Sequence, residues 1–221
     1  MKSASLLESR FIHASDPSLH EFVFQLPDTW WSRPYEYAWC ASFIDSNDIA
    51  LDAACGIPHP FKFVLGERCK MAYACDLDPR VNAASDILDS VRSDISEEAA
   101  AKVSFSQSSH LQLCQASLTE LPYADDFFDK IFCISVVEHL NSTDMLLALK
   151  EFNRTLKDDG LLLLTLDYPT IQLEMFHQLV LEAGLSFYSA PSFDLPSNAL
   201  HTDLWGGLYC FRAVLRKKIH K

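Results

Sequence analysis

The chain has 221 residues, 49% of them hydrophobic, which suits one sizeable core and excludes a disordered or fibrous protein. Its 30 acidic residues outweigh 18 basic ones, for a formal net charge of -12. That balance argues against a nucleic-acid partner, because binding a polyanion needs a basic footprint to displace counterions.

The longest apolar runs, such as residues 131–137, fall far short of the ~20 residues that span a bilayer. The opening Met1-Lys2-Ser3-Ala4-Ser5-Leu6-Leu7-Glu8 lacks the apolar stretch of a secretory signal. Seven cysteines, at positions 40, 55, 69, 75, 114, 133 and 210, show no C-x-x-C spacing. Buried free thiols in a reducing cytosol are therefore expected, with no metal site. The expectation is a cytoplasmic monomer or homodimer with no membrane partner.

Residues 1–48 read as a helical, aromatic-rich cap containing Phe22, Phe24, Trp30, Trp31, Tyr35, Tyr37, Trp39 and Phe43. An amphipathic helix is predicted over 35–44, turning Trp39 and Phe43 onto one buried face. Residues 49–221 form one globular unit in which strands and helices alternate. The first strand is 49–54, a helix begins near Pro60, and 71–75 is the second strand. Residues 79 to about 102 are helical, with Val81, Ala84, Ile87, Leu88 and Val91 at helical spacing, interrupted where Ser93 or Asp94 caps a second helix. Strands three to five fall at 111–116, 130–135 and 161–167. Asn141 to Asp144 cap a helix running to about Lys157 that Gly160 ends; a helix over 170–183 is closed by Gly184. Residues 185–189 and 207–215 are the last strands, and the basic end from Arg212 reads as a solvated strand end. Such alternation is the pattern of an α/β protein built on a parallel sheet.

The most informative segment is the turn Leu51-Asp52-Ala53-Ala54-Cys55-Gly56-Ile57-Pro58, followed 24 positions after Asp52 by Asp76 in Ala74-Cys75-Asp76-Leu77-Asp78-Pro79. In an open α/β sheet a ligand lies beyond the carboxyl ends of the strands, and an acid after the second strand accepts hydrogen bonds from ribose hydroxyls. A dinucleotide site uses several glycines to bring backbone N–H groups to a pyrophosphate. Here only Gly56 is present, and Pro58 and Pro60 have no N–H to donate. A ribose without a phosphate fits better.

Three further segments complete the pattern: Leu121-Pro122-Tyr123-Ala124-Asp125-Asp126-Phe127-Phe128-Asp129-Lys130-Ile131, then Cys133-Ile134-Ser135-Val136-Val137-Glu138-His139-Leu140, then Leu149 to Gly160 with the strand behind it. In this order they resemble the class I S-adenosylmethionine-dependent methyltransferases of small-molecule type, over roughly residues 49–217. The resemblance implies a Rossmann-like three-layer sandwich, its seven-stranded, mostly parallel sheet in the order 3-2-1-4-5-7-6 with the last strand antiparallel. It implies S-adenosyl-L-methionine as cofactor and methyl transfer to oxygen or nitrogen of a small-molecule acceptor. It places Asp52, Ala54, Gly56, Asp76, Leu77 and Ser135 at the cofactor, with Ser117 and Leu118 flanking the adenine. The glycine-poor turn and Ser117, where the family often has an acid, are departures. They keep open a methyltransferase-like domain that binds cofactor or partner without catalysis, and a nicotinamide oxidoreductase with the same motif order.

In Trp30-Trp31-Ser32-Arg33-Pro34-Tyr35-Glu36-Tyr37-Ala38-Trp39, Arg33 lies 19 positions before Asp52. This resembles small-molecule methyltransferases, the ubiquinone-biosynthesis O-methyltransferases among them, where an arginine similarly placed holds the cofactor carboxylate. A guanidinium grips a carboxylate with two parallel hydrogen bonds; the alternative is a surface arginine beside a helix-initiating proline. Trp30, Trp31 and Tyr37 either close over cofactor and acceptor or pack into the core. Glu138 and His139 follow the fourth strand, where a ligand-facing loop is expected. Histidine suits a neutral-pH base, with Glu138 supporting it, although a histidine near a helix start also serves as a cap or core group. Tyr168 is a candidate for the acceptor side, with Asp167, His201 and Asp203 weaker candidates on the same face.

Overall fold

The computed structural model describes residues 4–103, 105 and 110–218. The sheet is built outward from β2 (Ile49–Ala53), whose side chains alternate: Leu51 and Ala53 face one core, Ala50 the other. On one side β2 pairs in parallel with β3 (Met71–Asp76), which pairs with β4 (Leu111–Gln115). On the other it pairs with β5 (Phe128–Ile134), and β5 with β6 (Leu156–Tyr168). β9 (Leu208–Lys217) then runs antiparallel to β6, from Leu162↔Leu215 to Tyr168↔Tyr209. The far edge of β9 is shared by β7 (Leu185–Phe187), β1 (Arg10–Phe11) and β8 (His201–Thr202), all antiparallel to it. The α/β sandwich is thus as expected from the sequence, but β1 and β8 are additions to the seven-strand scheme. β7 covers only three residues of β9, and the rest of that long edge takes up the two further strands rather than leaving its backbone unpaired.

Helices cover both faces. α1 (Arg33–Ala41), α2 (Phe61–Arg68), α3 (Ala84–Asp94) and α4 (Glu97–Lys102) pack through Tyr37, Phe61, Ile87 and Ala99 into the core that also holds Ala50. α5 (Ser142–Thr155) and α6 (Leu173–Glu182) cover the other face through Met145, Phe152, Phe176 and Val180. Trp39 and Phe43 are buried together, their rings edge-to-face at 5.3 Å.

Several boundaries move for local reasons. The second helix of the 79–102 stretch is capped by Ser96, whose hydroxyl accepts the Ala99 N–H, and not by Ser93 or Asp94, which lie inside α3. Asn141 caps α5 as expected, accepting the N–H groups of Thr143 and Asp144. Gly160 does not end that helix: α5 stops at Thr155 and Leu156 already pairs with Phe128 in β6. The next pair is Lys130↔Leu161, so residues 157–160 bulge, and a Cβ on Gly160 would lie 2.8 Å from Leu156 Cδ1.

Arg212 corrects the reading of the basic end as solvated. It is only 4% exposed, because it donates to the carbonyls of Ser5 at 2.6 Å and Glu8 at 3.2 Å and stands over the Trp39 ring at 5.4 Å. Burial, with Arg10 nearby, brings its guanidinium down to about 10. Arg212 therefore ties the N-terminal segment to the sheet. Arg212→Met should lower the unfolding free energy by about 2 to 3 kcal/mol, the cost of two carbonyls losing a charged donor. Urea denaturation measures this, and a loss below about 0.5 kcal/mol, the level of an ordinary surface change, would show that the tie adds nothing to stability.

Candidate active site

Beyond β2 the backbone makes two left-handed steps, Ala54 at φ 55° and Gly56 at φ 59°. A Cβ on Gly56 would approach His59 Cδ2 to 2.5 Å, so the one glycine of the turn stands where a side chain has no room. Ala54 carries a left-handed cost of about 1–2 kcal/mol that glycine would avoid. Four fixed bonds impose the shape. The Cys55 N–H donates to Cys75 O at 2.9 Å, and the Gly56 N–H to Asp76 Oδ2 at 2.8 Å. From the first turn of α2, fully buried Lys62 donates from Nζ to Gly56 O at 2.5 Å and His59 O at 2.6 Å.

The turn walls a cavity of about 510 Å³ at the carboxyl ends of the strands. Its lining brings together Arg33, Asp52, Ala54, Gly56, Asp76, Leu77, Ser117, Leu118 and Ser135, every residue that the sequence assigned to the cofactor. A second cavity of about 450 Å³ is lined by Trp30, Trp31, His139, Asp167 and Trp205 among others, and Arg33 and His59 line both. Tyr37 falls on the first cavity rather than beside the two tryptophans, because its hydroxyl bonds His59 Nδ1 at 2.7 Å.

Four candidates lie off both linings. Adjacent residues of a strand point to opposite faces, so with Asp167 turned to the second cavity, Tyr168 packs edge-on against Phe11 at 5.4 Å. Glu138 is buried behind His139 and accepts the Asp167 N–H at 2.9 Å. His201 and Asp203 pair with each other at 3.6 Å, away from both linings. His59 and Trp205 were missed. The signal for His59 was its place between Pro58 and Pro60 in the turn itself; that for Trp205 was the following Gly206-Gly207.

Charge is unevenly compensated here. Glu36 is fully buried and accepts from Arg33, from Ser135 Oγ at 2.6 Å and from Ser32 Oγ at 3.0 Å. Burial alone would raise its pKa, but Arg33 and the hydroxyl donors hold it below the ordinary carboxylate range. Burial also keeps His59 neutral, far below a normal histidine, with Arg33 and Lys62 adding to the effect; Trp30 stacks on its ring at 4.1 Å. Asp52 is 3% exposed and its Oδ2 has no hydrogen-bond partner among the described residues. Burial pushes it up to about 7, against the pull of Lys62 and with Asp76 adding to the rise. Glu138 rises to about 8 and Asp167 to about 6, again through burial first, and Glu138 Oε2 and Asp167 Oδ1 likewise have no partner among the described residues.

The raised Asp52 has a defined consequence. Between its ordinary value and about 7 the folded chain binds a proton there that the unfolded chain has lost, so its contribution to stability declines as pH rises through that window and levels off above it. Melting curves from pH 5 to pH 8 should show wild type losing several degrees relative to Asp52→Asn. Parallel curves would mean that Asp52 titrates normally in the fold.

The segment 51–164, just over half of the chain, matches the family model of the methyltransferase domain. No curated protein sequence matches the chain. Among solved structures, YcgJ of Bacillus subtilis superposes with a TM-score of 0.60 at 13% identity, covering 84% of this chain and 99% of that one. A TehB-like S-adenosylmethionine-dependent methyltransferase of Corynebacterium glutamicum gives 0.55 at 16%, covering 83% and 87%. The [4+2]-cyclase SpnF gives 0.61 at 13%, covering 95% and 89%. At such identities these likenesses establish the fold. The family match, with the motif order and the strand-end cavity, establishes the rest: the chain belongs to the methyltransferase-domain family and is a class I S-adenosylmethionine-dependent methyltransferase.

Proposed function

We propose that the protein transfers the methyl group of S-adenosylmethionine to oxygen or nitrogen of a small-molecule acceptor, with cofactor in the first cavity and acceptor in the second. The observation that carries this reading is the pair of cavities meeting at Arg33 and His59, the first with an unpartnered, buried carboxylate oxygen on Asp52. An unpaired buried oxygen costs free energy that a cationic donor removes, and the cofactor's ammonium group is such a donor. Volumes of 300–1,000 Å³ are typical of small-molecule sites, and about 510 Å³ falls inside that range. Asp76 already accepts N–H groups of Gly56 and Asp78, and its remaining lone pairs suit the ribose hydroxyls. Leu77, Ser117 and Leu118 suit the adenine. Arg33 is the candidate for the cofactor carboxylate, with its Nη1 engaged by Glu36.

When bound, the cofactor supplies an already activated methyl group, so the residues' work is placement and, for a hydroxyl acceptor, removal of a proton. His139 is exposed on the second cavity and is the proposed base or acceptor-orienting group. Glu138, away from that lining, positions the Asp167 backbone instead. Membership of the methyltransferase family sets aside the nicotinamide alternative.

Calorimetric titration with S-adenosylhomocysteine should show binding that Asp76→Ala weakens by about 2 to 4 kcal/mol, since charged hydrogen bonds are each worth about 1.5–3; equal affinities would remove Asp76 from the site. On an accepted substrate, His139→Ala should lower turnover by about a hundred- to ten-thousandfold with cofactor affinity unchanged. Loss of cofactor affinity in that variant would instead make His139 part of the first cavity's framework.

A further inference from the structure

The second cavity combines aromatic walls with a polar corner formed by Asp167 and His139, and Glu138 is buried behind that corner, off the lining. Ligand atoms of Glu138, His139 and Asp167 all lie within 4.8 Å of one another, and Glu138, buried to 5% exposure, and Asp167 each carry an oxygen without a partner among the described residues. We propose that Asp167 and His139 bind the ammonium group of an aromatic amine whose ring lies among Trp30, Trp31 and Trp205. The proposal deepens the acceptor reading of this cavity and rests on it.

Geometry and charge both favour that chemistry. Ligand atoms of Asp167 and His139 lie within 4.8 Å of each other, so a nitrogen set between them reaches both at a charge-assisted hydrogen-bond length of about 2.8 Å. A primary ammonium has three donors, of which Asp167 and His139 can take one each. Arg33 is the cation on the lining, but Glu36 already neutralises it, and His59 is held uncharged by burial. The cavity therefore keeps a net negative character at Asp167, whose carboxyl, raised to about 6, is still ionised at neutral pH. A carboxylate-bearing ligand would meet repulsion at that place. Trp205, 74% exposed in a left-handed conformation ahead of Gly206 and Gly207, presents its ring on the same lining. Aromatic faces add an attraction for a nearby cation.

The test is calorimetry on the full chain saturated with S-adenosylhomocysteine, comparing tryptamine and phenethylamine with indole-3-propionate and 3-phenylpropionate. At least one amine should bind, ten times or more tighter than its matching acid. Asp167→Asn should weaken it about tenfold or more and Trp205→Ala severalfold, with S-adenosylhomocysteine affinity retained in both. Trp205 is exposed, so its variant is free of a folding explanation. Equal binding of amine and acid overturns the proposal, as does failure of both amines to bind a chain that still binds S-adenosylhomocysteine. Mg²⁺ or Mn²⁺ binding that competes with the amine and disappears in Asp167→Asn would assign the corner to a metal and overturn it too. Failure of S-adenosylhomocysteine itself to bind would strike the underlying methyltransferase site, a separate result.

Discussion

The site depends on a cation that never meets water. Lys62 sits in the first turn of α2, where the helix dipole disfavours positive charge, and is fully buried, where an unpaired ammonium costs several kcal/mol. It is tolerable because the carbonyls of Gly56 and His59 turn inward to it at 2.5 and 2.6 Å. Turning those carbonyls inward commits the rest of the turn. The Gly56 N–H then points to Asp76, Ala54 and Gly56 are held left-handed, and the His59 ring is set between the two cavities. In this way the glycine-poor turn keeps its shape: side-chain charge and a carboxylate do what extra glycines do elsewhere.

A second buried charge joins the N-terminal segment to the sheet. Glu36, from α1, accepts the Ser135 hydroxyl at the end of β5 and the Arg33 guanidinium in its own helix. Breaking either partner would leave a charge stranded in the interior, so this join resists local opening. Its consequence is that Arg33 is held where the cavities meet, rather than swinging on the surface as its long side chain would allow. The start of the N-terminal segment is fixed independently, by β1 on β9 and by Arg212 on the carbonyls of Ser5 and Glu8. The cap therefore adds walls to a site whose floor is the sheet.

The two cavities differ in how their acids are treated. At the first cavity Asp52 is raised by burial against the pull of Lys62; at the second, Asp167 and, behind it, Glu138 are raised by burial against the pull of Arg33. An unsatisfied acid in each place is a cost to the free protein that ligands of positive charge can offset. That shared logic explains why the raised carboxyls among the described residues, Asp52, Glu138 and Asp167, gather at the strand ends, whereas shifted acids elsewhere, such as Asp16, Asp129 and Glu151, are lowered by basic partners.

Strand runs, the turn at Gly56, the acid at Asp76 and the cap at Asn141 were legible in the sequence because each is a local pattern with a local cause. The same holds for the meeting of Asp52, Gly56, Asp76, Ser117 and Ser135 on one cavity, because they stand at or just past the ends of strands that lie side by side in a parallel sheet. What local pattern could not supply was the partner across space. Gly160 looks like a helix stop, yet it is a bulge residue because Leu156 had already entered the sheet beside Phe128. Arg212 looks solvated, yet it is buried because the N-terminal backbone returns over it. Tyr168 and Asp167 are neighbours in sequence with opposite fates, decided by which face of β6 lies over Phe11 and which opens to the second cavity. The sequence by itself determined the order of elements, since hydrophobic period and turn residues act over a few positions, and the cofactor followed from the resemblance of that motif order to the methyltransferase family. Only the tertiary structure decided the shape and charge of the second cavity, whose walls come from residues as far apart as Trp30, His139 and Trp205.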